Sequence, residues 1–294
     1  MASDENQIIK PELSTSEQLK KAAKSALGGG LAGAAAMVVQ VTTLMWMRTT
    51  MNYQYKYGTG MTTALKTLYA DGGIRRFYRG YVPAMLQAPT ARFGDAAANV
   101  GCMAFLNSRE DTKNLPVGVK TVTSSFFASA FRIFLMPIDT VKTIMQVEGK
   151  TGIAKLTAKM KTSGPSVLYH GSLGTCAATF VGHFPWFATY NYLDETLPHY
   201  DTKLKKLGRN AIMGFCASAV SDTISNSLRV VKVYRQTSDV PCGYLQATKN
   251  VIAADGLVGL FGRGLSTRIV ANGCQGMMFS VAWKFLMEQW DKRQ

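Results

Sequence analysis

The chain has 294 residues, 47% hydrophobic and 17% charged, with 33 Lys and Arg against 18 Asp and Glu for a formal net charge of +15. The positive excess is spread through loops and apolar segments without a basic-aromatic cluster, which argues against nucleic acid and toward anionic lipids or anionic solutes as partners. Five widely spaced cysteines, and three histidines (His170, His183, His199) without ligand spacing, suggest neither a disulfide framework nor a metal site; with no phosphate loop or nucleophile–base motif, neither an enzyme nor a cofactor is expected.

In chain order, residues 1–14 are a polar tail mixing Lys10 with Asp4, Glu5 and Glu12. Cleavable presequences are acid-poor, so any targeting signal is expected within the body of the chain. Ser14-Thr15-Ser16-Glu17 fits a capping box and predicts that the first helix starts there. Residues 25–47 carry no charge, and 171–193 carry none besides His183. Each run is long enough for a bilayer, which takes ~20 mostly apolar residues. Shorter uncharged runs at 96–108, 121–131, 211–221 and 269–283 each adjoin one or two ionisable residues. Helices with one face on lipid and the other on a polar cavity read this way; buried helices of a soluble protein are the competing reading.

The segment Asp71 to Gly80 recurs as Asp255 to Gly264, with a weaker copy from Ser163 to Gly171. The closing glycines Gly80, Gly171 and Gly264 are 91 and 93 residues apart. This period predicts three repeats, 15–110, 111–200 and 201–294, each a long helix, a loop with a short amphipathic helix, and a second long helix. Two spans per repeat bring every repeat back to the same side, so the repeats are parallel and related by rotation about the membrane normal. The expected fold is an all-α membrane protein of six transmembrane helices with threefold pseudo-symmetry. Small residues at Gly29 and Gly33, Ser125 and Ser129, and Gly214 and Ser218 permit close helix packing. The within-repeat loops sum to +7, against +3 for the termini and between-repeat loops, which places the former on the matrix or cytosol-like side.

Residues 137–146 carry the densest chemistry. Asp139, Lys142 and Gln146 share one helical face just past the kink expected at Pro137, and Arg132 lies seven residues before Asp139. A charged stripe on an apolar helix is costly unless it faces a wet cavity or a partner charge. With the recurring acid-glycine and basic-glycine segments, Pro137, Asp139 and Lys142 make the chain resemble the mitochondrial carrier family over essentially its whole length. That resemblance implies a multi-pass protein of the mitochondrial inner membrane, with both termini toward the intermembrane space and one central site reached alternately from either side. It also implies lipid partners, cardiolipin among them at matrix-side helix termini.

Aligning the odd helices on their small-residue motifs puts this signature at Thr42, Leu44, Met47 and Met51 in repeat one and at Ser227, Arg229, Lys232 and Gln236 in repeat three. In the family the acid of one repeat pairs with the base of the next, so Asp139 with Lys232 is the one signature pair expected at the matrix gate. Lys142 would face Leu44, Arg229 would face Met47, and repeat one would bring no charge to the gate. Lys142 and Arg229 lack an evident acidic partner, which suggests a bound anion or water. Met37, Arg132 and Asp222 are equivalent one step earlier, and Arg132 is expected to pair with Asp222 in the cavity. The opposite gate, near Ala98-Asn99, Tyr190-Asn191 and Trp283-Lys284, has no acid, and Asp194 occupies the place of a base. The family's substrate contact points fall near Gln87, Ala178-Thr179 with His183, and Ala271-Asn272, with Arg268 a turn away. Arg92 and Asp95 are expected to pair with each other. Five cavity cations against two acids favour a small anionic metabolite as solute. The thinned gate charges fit an alternative, a carrier fold that no longer transports and serves as an accessory structural subunit of a larger inner-membrane (for example respiratory) complex.

Overall fold

A computed structural model describes residues 15–200 and 202–291, with side chains described from 35 to 278 apart from Ala36, Val117, Thr121, Asp201, Lys203 and Leu204. The Ser14 cap, the Gly29 and Gly33 pair, and Trp283-Lys284 lie outside the described residues or side chains. All the regular elements described are helical. Repeat one comprises α1 (Thr15–Tyr57), α2 (Met61–Phe77) and α3 (Tyr81–Asn107). A one-turn α4 (Glu110–Lys113) leads into α5 (Val117–Phe134), α6 (Met136–Glu148), α7 (Gly152–Ser163) and α8 (Ser172–Thr196). Repeat three comprises α9 (Lys203–Thr237), α10 (Tyr244–Gly262) and α11 (Leu265–Asp291).

The break between α5 and α6 falls at Leu135, two residues before Pro137. Proline cannot donate to the helix ladder and crowds the preceding turn. The equivalent positions hold Thr42 and Ser227, and α1 and α9 run through them unbroken. The long helices close a ring: α3 packs on α1 and α5, α8 on α5 and α9, and α11 on α9 and α1. Each repeat turns its loop on a glycine with positive φ, Gly73 (60°), Gly164 (76°) and Gly256 (67°). L-residues with a Cβ avoid that region; in repeat one the turn falls on Gly73, one residue past the Gly72 (φ 170°) that aligns with Gly256.

No single helix among the described residues is long and apolar enough to cross a membrane by itself; the bent pair Gly118–Phe134 and Met136–Ser163 is, by length and composition. The expectation for 171–193 therefore holds for length and not for apolarity. At ~1.5 Å per residue, the 25 residues of α8 reach far enough. Thr175, Thr179 and His183, however, line the cavities at the centre of the ring and lower the mean hydropathy.

The loop-helix end of the ring is sealed. Tyr55 of α1, Val147 of α6, Val230 and Val233 of α9, and Val251 and Leu260 of α10 form one buried cluster there. The closing glycines lock the repeats together in cyclic order. Gly80 abuts the Lys142 carbonyl, Gly171 abuts Gln236, and Gly264 abuts the Tyr55 ring; a Cβ at these glycines would come within 2.9, 2.4 and 2.9 Å respectively.

Candidate functional site

Three chambers of about 250, 590 and 530 Å³ run up the centre of the ring. Asp139, Lys142, Arg229 and Lys232 line both the lower and the middle chamber, and Asp95 and Arg132 line both the middle and the upper. The three are therefore one column, with its floor at the sealed loop-helix end.

The floor is built around one carboxylate. Asp139 Oδ2 accepts from Lys232 Nζ at 2.7 Å, and Oδ1 accepts from Lys142 Nζ at 2.6 Å. Asp139 stands in the first turn of α6, where the helix dipole also favours a negative charge. The pairing of Asp139 with Lys232 is thus present, but Lys142 turns back onto the same carboxylate and to Gln87 Oε1 (3.1 Å) instead of facing Leu44. A base three residues on along a helix shares a face with the acid, so the intrahelical contact outcompetes an apolar neighbour.

Two glutamines also brace adjacent repeats, Gln146 from the lining of the lower chamber and Gln236 from the buried interior. Gln146 Oε1 accepts from Asn52 Nδ2 (2.6 Å), and Gln236 Nε2 donates to Thr140 Oγ1 (3.0 Å). Arginines tie the loops to the next repeat: Arg76 donates to the carbonyls of Gln146 and Val147, and Arg263 to those of Tyr55 and Lys56. Both hold the last turn of a long helix, where carbonyls lack intrahelical donors. Arg76 and Arg263 occupy different places in their repeats' motifs, so sequence alignment did not connect them.

The expected pair of Arg132 with Asp222 is not formed. Arg132 instead donates to both oxygens of Asp95 (3.1 and 2.5 Å). This is a bidentate guanidinium–carboxylate fork across the α3–α5 seam, a strong form of ion pair. Asp222 is engaged elsewhere. Its Oδ1 accepts from Arg268 Nε at 2.6 Å, and its Oδ2 accepts from Asn272 Nδ2. Arg229 Nη2 lies 3.9 Å from Oδ1. Arg229 was expected to face Met47. Instead Met47 packs with Leu44 and Ala271 in an apolar seam between α1 and α11.

Repeat one does bring a charge to this level. Arg48 lines the lower and middle chambers and donates from Nη2 to Gln275 Oε1 at 2.8 Å. The signal was present: Arg48 is the residue that ends the uncharged run 25–47. Gln275, which also accepts from Gln40 Nε2 at its carbonyl (2.9 Å), carried no comparable mark.

The residues expected at the substrate level are distributed along the column. Arg268 and Asn272 line the lower chamber, Gln87 and Arg132 the middle, and Thr179 and His183 the upper. Thr179 spends its hydroxyl on the Thr175 carbonyl (2.8 Å), and His183 Nδ1 meets Ser125 Oγ at 2.6 Å across the α5–α8 contact. Gln236 is 1% exposed and lines no chamber. At the far end Tyr190 stacks on Trp186 at 5.1 Å, and Asp194 is held by Arg209 Nη1 at 2.6 Å. Asp194 therefore stitches α8 to α9.

Lower chamber and floor together hold five cationic side chains (Arg48, Lys142, Arg229, Lys232, Arg268) and two carboxylates (Asp139, Asp222). In a low-dielectric funnel this excess concentrates anions.

Comparison with known proteins matches the sequence model described as mitochondrial carrier protein at residues 18–109, 114–201 and 203–292. Among curated proteins, the chain is 24% identical over 188 residues to mitochondrial substrate carrier family protein S of Dictyostelium discoideum, covering 58% of this chain and 64% of that one. A mitochondrial carrier-like protein of Acanthamoeba polyphaga mimivirus is 24% identical over 161 residues, covering 55% of this chain and 62% of its own length. A mitochondrial carnitine/acylcarnitine carrier-like protein of Arabidopsis thaliana is 26% identical over 148 residues (48% of this chain, 49% of that one). The matches thus span about half to two thirds of the curated relatives' lengths.

Proposed function

The chain belongs to the mitochondrial carrier family, and on that premise we propose that it moves a small anionic solute across the mitochondrial inner membrane by alternating access to the central column. The observation that carries this reading is the lower chamber with its floor, where five cations outnumber two carboxylates and Asp139 pairs with Lys232. Solute binding would supply the differential free energy that opens the floor, since a ligand shifts an equilibrium only by binding one state better than the other. Family membership and the basic within-repeat loops support an orientation with the loop helices on the matrix side. Membrane lipids, including cardiolipin at the matrix-side helix termini, are the partners this placement calls for.

The test is uptake by vesicles containing the purified chain, assayed over a panel of small carboxylates and phosphate esters. At least one anion should be taken up, and Arg268→Ala and Arg229→Ala should each reduce its uptake tenfold or more. Uptake unchanged in both variants would overturn the site, and a folded chain inert over the whole panel would overturn transport.

The apolar α1–α11 seam supports a second reading, in which the fold has stopped cycling and serves as a structural subunit of a larger inner-membrane complex. Stoichiometric comigration with such a complex from native membranes, together with absent uptake, would decide for it.

A further inference from the structure

The corner of the lower chamber where α1, α9 and α11 meet is short of negative charge in a specific way. Asp222 is filled: one oxygen holds Arg268 and the other holds Asn272. Arg229 stands 3.9 Å from it, beyond hydrogen-bond reach, and its Nε is buried with no partner. Arg48 Nε is likewise buried with no partner, and its Nη2 donates to the neutral Gln275. Two guanidiniums on different repeats thus line one chamber, each with a buried donor unused. A buried donor without an acceptor bears its full desolvation cost, and gathering three guanidiniums on one chamber adds to it. On the α6 side of the same chamber, Lys142 and Lys232 share the single carboxylate of Asp139. The corner is therefore two negative charges short and the α6 side one.

We propose that a small oxyanion with two or more negative charges binds here, one carboxylate or phosphate group lying between Arg48 and Arg229 and a second facing Lys142 and Lys232. A guanidinium fork matches the oxygen spacing of either group. The chamber volume of about 250 Å³ is roughly that of eight waters at ~30 Å³ each, enough for a short dicarboxylate. Bound in this way, the anion links α1 to α9 across the corner where neither Met47 nor Arg229 supplies an acid. The inference deepens the carrier reading by naming the ligand's valence and the walls it bridges. Binding itself does not require transport.

The experiment is thermal unfolding of the purified full chain in detergent, with succinate, citrate, inorganic phosphate or acetate at matched ionic strength. At a hundredfold excess over Kd, a polyvalent anion should raise the midpoint by about 5 °C or more, and acetate should leave it nearly unchanged. Phosphate outperforming succinate would name the group as phosphate, and the reverse as carboxylate; either supports the site. Arg48→Gln should weaken the response tenfold or more. Arg48→Glu adds a carboxylate to the chamber lined by Arg229 and Arg268, so its ligand-free midpoint should rise while the anion response disappears, a pair of results that misfolding cannot produce. No response to any polyvalent anion, or equal responses in the unaltered chain and both variants, would overturn the site. Absent uptake with the response intact would sink the transport reading alone. Uptake intact without the response would sink this one alone.

Discussion

Between α6 and α9 the ring is closed by the buried ion pair of Asp139 with Lys232 and the hydrogen bond of Gln236 with Thr140. Between α11 and α1 it is closed by Leu44, Met47 and Ala271. The two closures respond differently to water. Opening the first loses Coulomb energy but returns three charged groups to hydration, which offsets much of the loss. Opening the second exposes apolar area at about 25 cal/mol per Å², and hydration recovers only the hydrogen bonds of Gln40 and Arg48 to Gln275. An opening of the floor should therefore start at α6–α9 and use α1–α11 as its fixed edge.

The largest effect should come from breaking the ionic closure. Asp139→Ala strands Lys142 and Lys232 together, and removing one partner of a buried pair typically costs about 3–5 kcal/mol. Chemical denaturation of the purified protein should show this, and adding Lys232→Met should recover part of it by deleting one stranded charge. Leu44→Ala tests the other closure. At 6% exposed, Leu44 should cost about 3 kcal/mol on truncation, and a second substitution cannot recover that loss in the same way. If Asp139→Ala costs less than Leu44→Ala and Lys232→Met adds no recovery, the ionic seam is not the closure described here.

The glycine contacts give a smaller effect with an internal control. Gly73 and Gly80 both have positive φ (60° and 81°), so both lose backbone freedom on substitution. A Cβ at Gly80 would also press on the Lys142 carbonyl at 2.9 Å, whereas nothing lies within 4 Å of one at Gly73. Gly80→Ala should cost about 1–3 kcal/mol more than Gly73→Ala in the same denaturation assay.

Much of the fold was legible in the sequence because it repeats. The closing glycines and the acid-glycine turns revealed the period, and at Gly80, Gly171 and Gly264 one physical requirement, no room for a Cβ, underlies it. The pair of Asp139 with Lys232 was legible for the same reason, as members of a periodic motif. What failed was every contact decided by which of several acids a base prefers. Arg132 had Asp222 on one side and Asp95 on the other, and helix-to-helix distance chose Asp95. Lys142 and Asp222 were misread similarly, since periodicity fixes a face and not a rotamer. Arg48 was missed because it stands one residue beyond the motif position, at the end of a run valued only for its lack of charge.

The smallest effect lies where the same α6–α9 seam reaches the surface. Lys155 of α7 bridges Glu148 at the end of α6 (2.5 Å) and Asp239 just beyond α9 (3.0 Å). The hydrogen bond from Lys155 holds the Asp239 carboxyl below its ordinary range, with the nearby lysines adding to it. Since the folded value is lowered, the pair's contribution is present above the unfolded carboxylate pKa of ~3.9 and is lost as pH falls through the folded value. Asp239 is 71% exposed and Lys155 37%, so solvent screening limits the contribution to about a few tenths of a kcal/mol. Asp239→Asn should lower stability by that amount near neutral pH, with the difference closing below about pH 4 and shrinking in high salt. A deficit from Asp239→Asn as large as that from Asp139→Ala, or one that persists in acid, would mean that the exposed end of the seam carries the closure assigned here to its buried centre.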